Sequence, residues 1–144
     1  MDTCVETEAH VPAETFRRIA ALLDHMLIDL KHVDAEKVQA HTAGQADLML
    51  DNLRWTIAHH PDALPRTPVI PGFNDGEDDA RAMATWLRDA GAKRVQLLPF
   101  HNFGESKYEL LDMPYALGGI KSLRPEDLGE YRQIYLDEGI EAFF

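Results

Sequence analysis

The sequence has few of the residues that bind metal clusters or nucleic acids. It contains a single cysteine, Cys4, which permits no internal disulfide and cannot by itself build a zinc or iron–sulfur site. Its 14 basic residues are outnumbered by 25 acidic residues, for a formal net charge of -11. Because such a surface repels phosphate backbones, no nucleic acid partner is expected.

Long apolar runs are also missing. The longest, residues 26–30 and 95–100, are far too short to span a bilayer, and no signal peptide opens the chain. We therefore expect no membrane association and a cytoplasmic location. With 144 residues, 45% hydrophobic and 27% charged, the chain has the size and composition of one globular domain.

Short apolar runs alternate with segments of helical period, a pattern that predicts an α/β fold of parallel strands joined by helices. Strands are expected at residues 3–7, 26–30, 64–70 and 95–98, with 140–144 as a closing strand or a packed tail. Helices are expected at residues 12–24, 34–44, 47–59, 77–90 and 125–139. Residues 99–123 form a long segment rich in glycine, proline and aromatic residues, which indicates a functional loop.

Prolines and turn residues add two local predictions. Pro65 and Pro68 lack amide donors, so the third strand is expected to be an edge strand or an interrupted one. The run Asn74, Asp75, Gly76 is expected to cap the helix that follows it.

Polar side chains stand at the carboxyl ends of the predicted strands, where the loops of parallel α/β folds diverge and leave a crevice. In chain order they are Glu6 and Thr7, Asp29 and Lys31, Arg66, and His101. The pattern predicts a site at this rim of the sheet.

Asp29 and Lys31 flank Leu30, so strand alternation places both on one face. Spacing alone leaves a site for an amino acid zwitterion and a structural ion pair equally open. A Schiff-base lysine of an aldolase-like enzyme is a third interpretation of Lys31. The neighbouring carboxylate argues against it, because it stabilises the ammonium rather than the reactive amine.

The remaining rim residues also allow two interpretations each. Glu6 and Thr7 could bind a hard cation or a ribose, or could cap the next helix. Arg66 could pair with a carboxylate inside the rim or offset some of the surplus negative charge. His101 could contact a ligand or hydrogen-bond within its loop.

Four segments resemble, in order and spacing, motifs of the glycyl-radical enzyme activating enzymes, a family that uses S-adenosylmethionine (AdoMet). Pyruvate formate-lyase activating enzyme is its best-known member. The segments are residues 4–7 (CVET), 26–31 (MLIDLK), 68–75 (PVIPGFND) and 97–108 (LLPFHNFGESKY). The resemblance extends over nearly the whole chain.

This resemblance implies a partial (β/α)6 barrel of the radical AdoMet type. AdoMet would bind across the strand ends beside a [4Fe–4S] cluster fed by a flavodoxin or ferredoxin-type electron donor. The cluster would reduce AdoMet, and the resulting radical would remove a hydrogen from a glycine of a pyruvate formate-lyase-like partner.

The resemblance also assigns roles by position. Residues matching family positions that contact AdoMet are Asp29, Leu30, Lys31 and His101. Residues matching positions where a monovalent cation can sit are Glu6, Thr7 and Asp29, although the family often has Asp where Glu6 stands. Arg66 matches a rim arginine, and residues 103–115 match the region that the partner's glycine loop approaches.

The sequence departs from the family in its cysteines. The family's Cys-x3-Cys-x2-Cys loop and its Gly-Gly-Glu motif would both lie before residue 1, and without three thiolates there is no cluster site. We therefore expect residues 1–144 to be the C-terminal part of the barrel, an open half-barrel of about four strands with one exposed edge, lacking the N-terminal cluster-binding part. Such a chain would be inactive alone. It would be a fragment, a binding module that docks on a glycyl-radical enzyme, or half of a split activase.

Overall fold

A computed structural model describes all residues, 1–144, and shows one open sheet of five parallel strands in sequential order. The strands are β1 (Cys4–Thr7), β2 (His25–Asp29), β3 (Ala63–Val69), β4 (Arg94–Pro99) and β5 (Glu141–Phe143). The predicted α/β class with a parallel, unclosed sheet is confirmed. The sheet has five strands rather than about four because residues 141–143 pair with the start of β4 instead of packing as a tail.

Five helices connect the strands in the expected places, and a sixth, α5 (Glu105–Leu110), lies within the segment 99–123 that was expected to be a loop. The five connecting helices are α1 (Ala13–Ala20), α2 (Ala35–Thr42), α3 (Ala46–His59), α4 (Glu77–Asp89) and α6 (Gly129–Asp137), the last preceded by a 3-10 turn at Pro125–Leu128. Asp34 caps α2 by accepting hydrogen bonds from the amides of Glu36 and Lys37. No helix has both the length and the apolar composition needed to cross a bilayer.

One face of the sheet carries the hydrophobic core. Sequential parallel strands joined by right-handed crossovers place their helices on the same side. Alternate strand residues such as Met26, Ile28 and Leu97 are buried there against α1, α3, α4 and α6. The intervening residues, including Leu27 and Leu98, are only half-buried because no helix lies over their face. We call these the covered face and the open face.

The prediction that the third strand is an edge strand or an interrupted one is wrong, because β3 is the middle strand and pairs on both sides. Backbone groups of even-numbered β3 residues face β2, as the bond from the Leu30 amide to the Arg66 carbonyl shows, and odd-numbered ones face β4. Pro65 therefore faces β4, and the pairing of β3 with β4 begins only one residue later, at Arg66. Pro68 faces β2, and the pairing of β3 with β2 has already ended at Arg66. Each missing amide falls just outside the ladder it would have joined.

The sheet also has two exposed edges rather than one, since β1 and β5 are both outer strands. The β5 edge is partly covered, because the Arg132 side chain donates to the Ala142 carbonyl at 2.7 Å. β1 is the outer strand at the other side of the sheet, next to β2.

Candidate functional site at the carboxyl ends of the strands

Arg66 lies at the centre of a charged cluster on the open face. Its two terminal nitrogens meet the two carboxylate oxygens of Glu6 at 3.0 Å each. Its Nε and one terminal nitrogen donate to Oδ1 of Asp29 at 3.1 and 2.9 Å. Strand pairing brings these three side chains together. Asp29 is directly opposite Arg66 across β2 and β3, and Glu6 is opposite Leu27, so its side chain lies on the same face. The interpretation of Arg66 as the partner of a rim carboxylate is confirmed.

The cluster has an excess of negative charge, because two carboxylates surround one guanidinium. The hydrogen bond from Arg66, reinforced by its charge, lowers the pKa of Glu6. Arg66 is only 8% exposed; burial disfavours its charge, but hydrogen bonds to Glu6 and Asp29 outweigh burial and raise its pKa. Two carboxylates and one guanidinium give the cluster a net charge of one negative unit, which suits a positively charged ligand group.

Lys31 lies two residues beyond Asp29, and its Nζ is 2.5 Å from a carboxylate oxygen of Glu8. The interpretation of Asp29 and Lys31 as a mutual ion pair is wrong, since each has a different partner. Sequence reasoning missed Glu8, although its position two residues after Glu6 continues the open-face alternation of β1. The Nζ of Lys31 is engaged in an ion pair with Glu8, whereas a Schiff-base lysine needs an amine free to attack a carbonyl.

Two cavities open at this end of the sheet. The larger, of about 620 Å³, is bounded by the Lys31–Glu8 pair, Phe73 and two tyrosines of the 103–115 segment, Tyr108 and Tyr115. The smaller, of about 390 Å³, lies over the end of β4 and includes His101. Ile70 lines both cavities, so the cavity beside Lys31 adjoins the one beside His101. His101 is exposed, and the centroid of its ring lies 4.5 Å from the centroid of the Phe103 ring.

The other two predicted site residues contribute through the backbone or the loop. Leu30 is buried on the covered face, so only its main chain reaches the rim. The Thr7 hydroxyl accepts a hydrogen bond from the Ala9 amide at 3.0 Å. Neither Glu6 nor Thr7 caps a helix, because α1 begins after Pro12 without a side-chain cap.

Asn74 is a rim residue whose role the sequence did not reveal. The run 74–76 ends at the N-cap of α4 as expected, since Gly76 occupies that position, but no side chain caps the helix. The Asn74 side chain is instead fully buried and bonds the ends of β2 and β3. Asn before Asp-Gly is so common in turns that the sequence alone favours a cap at this position.

His32 belongs to a second polar group beside the rim. It is 4% exposed, its Nδ1 accepts from the Asp34 amide at 2.9 Å, and its Nε2 lies 3.0 Å from Asp79. Lys37 also reaches Asp79, at 2.5 Å. Burial opposes the charge of Asp79, but these two contacts outweigh it and lower its pKa. The group fastens α2 and the end of β2 to α4.

An iron–sulfur cluster does not fit this chain. The single thiol, Cys4, is exposed on β1, and no three His, Cys, Asp or Glu side chains come together as metal ligands. The rim can offer charged and hydrogen-bonding groups to an organic ligand, but it does not offer three thiolates.

The fold and rim define an open segment of a parallel (β/α) barrel of the kind found in radical AdoMet proteins. A crystal structure of a domain of pyruvate-formate lyase-activating enzyme from Bacteroides vulgatus superposes with a TM-score of 0.76 at 24% identity, covering 99% of this chain and 80% of that one. A radical SAM methyltransferase from Sphaerobacter thermophilus superposes with a TM-score of 0.67 at 16% identity, covering 97% of this chain and 39% of that one. These likenesses establish the shared fold.

Sequence comparison narrows the class. The 4-hydroxyphenylacetate decarboxylase activating enzyme of Clostridioides difficile is 34% identical, over 98% of this chain and 45% of its own length. The isethionate sulfite-lyase activating enzyme of Desulfovibrio desulfuricans is 37% identical over 82% and 38%, and the pyruvate formate-lyase 2-activating enzyme of Escherichia coli is 28% identical over 96% and 47%. No family model matches the chain.

The chain is therefore a relative of the glycyl-radical enzyme activating enzymes, which confirms the resemblance drawn from its four motifs. It spans less than half the length of these curated relatives.

Proposed function

We propose that residues 1–144 form the AdoMet-holding part of an activating enzyme for a glycyl-radical enzyme. The observation that supports this most is the Glu6–Asp29–Arg66 cluster, negatively charged overall and beside Lys31, in a chain related to activating enzymes over nearly its whole length.

The donor set suits AdoMet, which carries an amino acid zwitterion and a sulfonium cation. The carboxylates of Glu6 and Asp29 can stabilise the positive groups or, with Thr7, a monovalent cation at the same place. Lys31 and Arg66 can bind the ligand carboxylate, and Arg66 can do so with two parallel hydrogen bonds. His101 and the main chain of Leu30 would contact the ligand from either end of the rim.

Bound beside a reduced [4Fe–4S] cluster, AdoMet supplies a one-electron oxidant strong enough to remove hydrogen from glycine. In this proposal the cluster's thiolates come from outside residues 1–144, either in a longer protein or from a second chain. β1, an outer strand, has free backbone groups with which such a segment can pair. A flavodoxin or ferredoxin-type donor would reduce the cluster, and a pyruvate formate-lyase-like enzyme would provide the glycine.

Equilibrium dialysis with labelled AdoMet tests the ligand assignment. We expect the chain to bind AdoMet, and Lys31→Gln to weaken binding about tenfold, because it removes a charged hydrogen bond. Lys93→Gln is the matched control, since Lys93 is exposed just before β4 at the opposite end of the sheet. Absence of binding by the unsubstituted chain, or equal losses in the two variants, would contradict the proposal.

A non-catalytic docking module is the second candidate, and it is favoured by apolar side chains in the segment after β4. The exposed fractions of Phe103, Leu110, Leu111 and Met113 are 78%, 87%, 68% and 53%. Such a patch is typical of a protein contact. Retention of a glycyl-radical enzyme on the immobilised chain without AdoMet, lost in Leu110→Lys but kept in Lys31→Gln, would favour this candidate over the first.

A further inference from the structure

The carboxyl ends of β2 and β3 are held together by a side chain rather than by a backbone ladder. Their last backbone bond runs from the Leu30 amide to the Arg66 carbonyl, and Pro68 has no amide with which to continue it. Beyond that point the Asn74 Nδ2 donates to the carbonyls of Lys31 and Pro68, each at 2.8 Å. Its Oδ1 accepts from the Ile70 amide at 2.7 Å.

The contacts fix the orientation of this amide. Two carbonyl oxygens face one end of the side chain and an N–H faces the other, so the reversed amide would oppose like groups on both sides. Asn74 is 0% exposed, and water cannot replace a lost partner. A fully buried polar group of this kind is costly to leave unsatisfied.

One of the two carbonyls is that of Lys31, whose side chain pairs with Glu8 at the larger cavity. We propose that Asn74 is a positioning residue: its amide takes the place of the backbone bonds that Pro68 cannot make and fixes the main chain at Lys31, so that the ammonium is presented to the ligand. This inference rests on the proposed function for its consequence in ligand binding, but its structural part does not.

Asn74→Asp tests the idea, since the substitution keeps shape and the acceptor for Ile70 but places a carboxylate oxygen against two carbonyls. In the full 144-residue chain at about pH 8, we expect faster amide hydrogen exchange in residues 30–34 and AdoMet affinity weakened about tenfold. At about pH 5, protonation of the introduced carboxyl restores one donor, so both effects should diminish relative to the unsubstituted chain at the same pH.

Two further variants separate positioning from general destabilisation. Asn74→Ala removes the acceptor as well, so it should also expose the Ile70 amide to exchange and show no recovery at low pH. Val95→Ala, in the core at the start of β4, should lower the melting temperature without changing exchange at residues 30–34 or AdoMet affinity.

The inference is overturned if Asn74→Asp exchanges and binds like the unsubstituted chain at about pH 8, or if its losses persist unchanged at about pH 5. It is also overturned if Val95→Ala reproduces them. If the unsubstituted chain does not bind AdoMet, the proposed function fails, while the exchange pattern of the Asn74 variants still decides whether this amide holds the end of β2.

Discussion

Neighbouring residues of the same strand lie in opposite environments on the two faces of the sheet. On the covered face, alternate residues of the inner strands are almost fully buried beneath helices and, apart from Thr67 of β3, are apolar. On the open face, the intervening residues form ion pairs at one end and leave leucines half-buried elsewhere. The comparison indicates that the covered face determines the fold, while the open face carries the charges with which the protein can recognise a ligand.

The difference between the faces explains how a guanidinium can be nearly buried on the open face. Arg66 is nearly buried although no helix covers it, because its guanidinium pairs with Asp29 on the neighbouring strand β2 and with Glu6 on β1, the strand beyond β2. Burying an arginine without partners would cost several kcal/mol, on the order of the stability of a small domain. The carboxylates thus keep the charged side chain in place on the open face.

The largest expected difference between the two faces lies within one strand. Leu97 is fully buried on the covered face, and its neighbour Leu98 is half-buried on the open face. We expect Leu97→Ala to lower the free energy of unfolding by about 3 kcal/mol, because it leaves a cavity. Leu98→Ala should cost less than about 1 kcal/mol, since solvent already reaches that side chain.

Urea denaturation of the two variants, followed by circular dichroism, measures this difference directly. Similar losses for Leu97→Ala and Leu98→Ala would mean that the open face is covered in solution, for example by a second copy of the chain.

A smaller effect is expected from removing the cation of the open face. Arg66→Gln leaves Glu6 and Asp29 close together without a counter-charge, and we expect it to cost about 2 kcal/mol at neutral pH. Arg66→Lys should recover only part of this loss, because an ammonium cannot bind both oxygens of Glu6 in parallel.

The pH dependence of this loss has a definite sign. The folded-state pKa of Glu6 lies below its ordinary value of 4.5, so its contribution is present above that pH and is lost as the pH falls through the lowered value. The unfolding free energies of the unsubstituted chain and Arg66→Gln should therefore converge in acid. Parallel curves between neutral and acidic pH would show that Glu6 is not held by Arg66 in solution.

The smallest effect is expected at the amino ends of the strands, where His25 and Asp62 pair across β2 and β3 at 2.5 Å. Hydrogen bonding with Asp62 raises the pKa of His25 from its ordinary value of 6.5. The stabilisation is complete below that value and is lost as the pH rises through the raised one. Because solvent reaches nearly half of each side chain, 43% for His25 and 46% for Asp62, the effect should be slight.

Melting curves of the unsubstituted chain and Asp62→Asn test this pair. The melting temperature of Asp62→Asn should be lower at about pH 6, and the difference should shrink at about pH 9, where His25 is neutral in both proteins and only the Arg94 contact of Asp62 at 3.6 Å remains. A difference that grows with pH would contradict the pairing.

Much of the fold is contained in local patterns. The apolar run at residues 26–30 predicts a strand, and this prediction is confirmed by β2. The central position of the third strand in the sheet could not be predicted from its prolines. Whether a missing amide weakens a sheet depends on which neighbour it faces and where that pairing ends, and this is a property of strand register.

The candidate site was predicted less completely, because its partners come from distant parts of the chain. Residue types and strand ends identified Glu6, Asp29, Lys31 and Arg66, but not which carboxylate pairs with which cation. Glu8 meets Lys31 across 23 positions of sequence, and Asn74 meets the Lys31 carbonyl across 43. Such contacts depend on how the loops fold back over the rim, which no short segment specifies.

The most direct test of the account is hydrogen exchange of the whole chain with and without saturating AdoMet. The account predicts slower exchange in residues 6–9, 29–32 and 66–72, at the rim of the open face, and no change at the amino ends of the strands around His25 and Asp62. Slower exchange confined to those amino ends, or none anywhere, would contradict the assignment of ligand recognition to the open face.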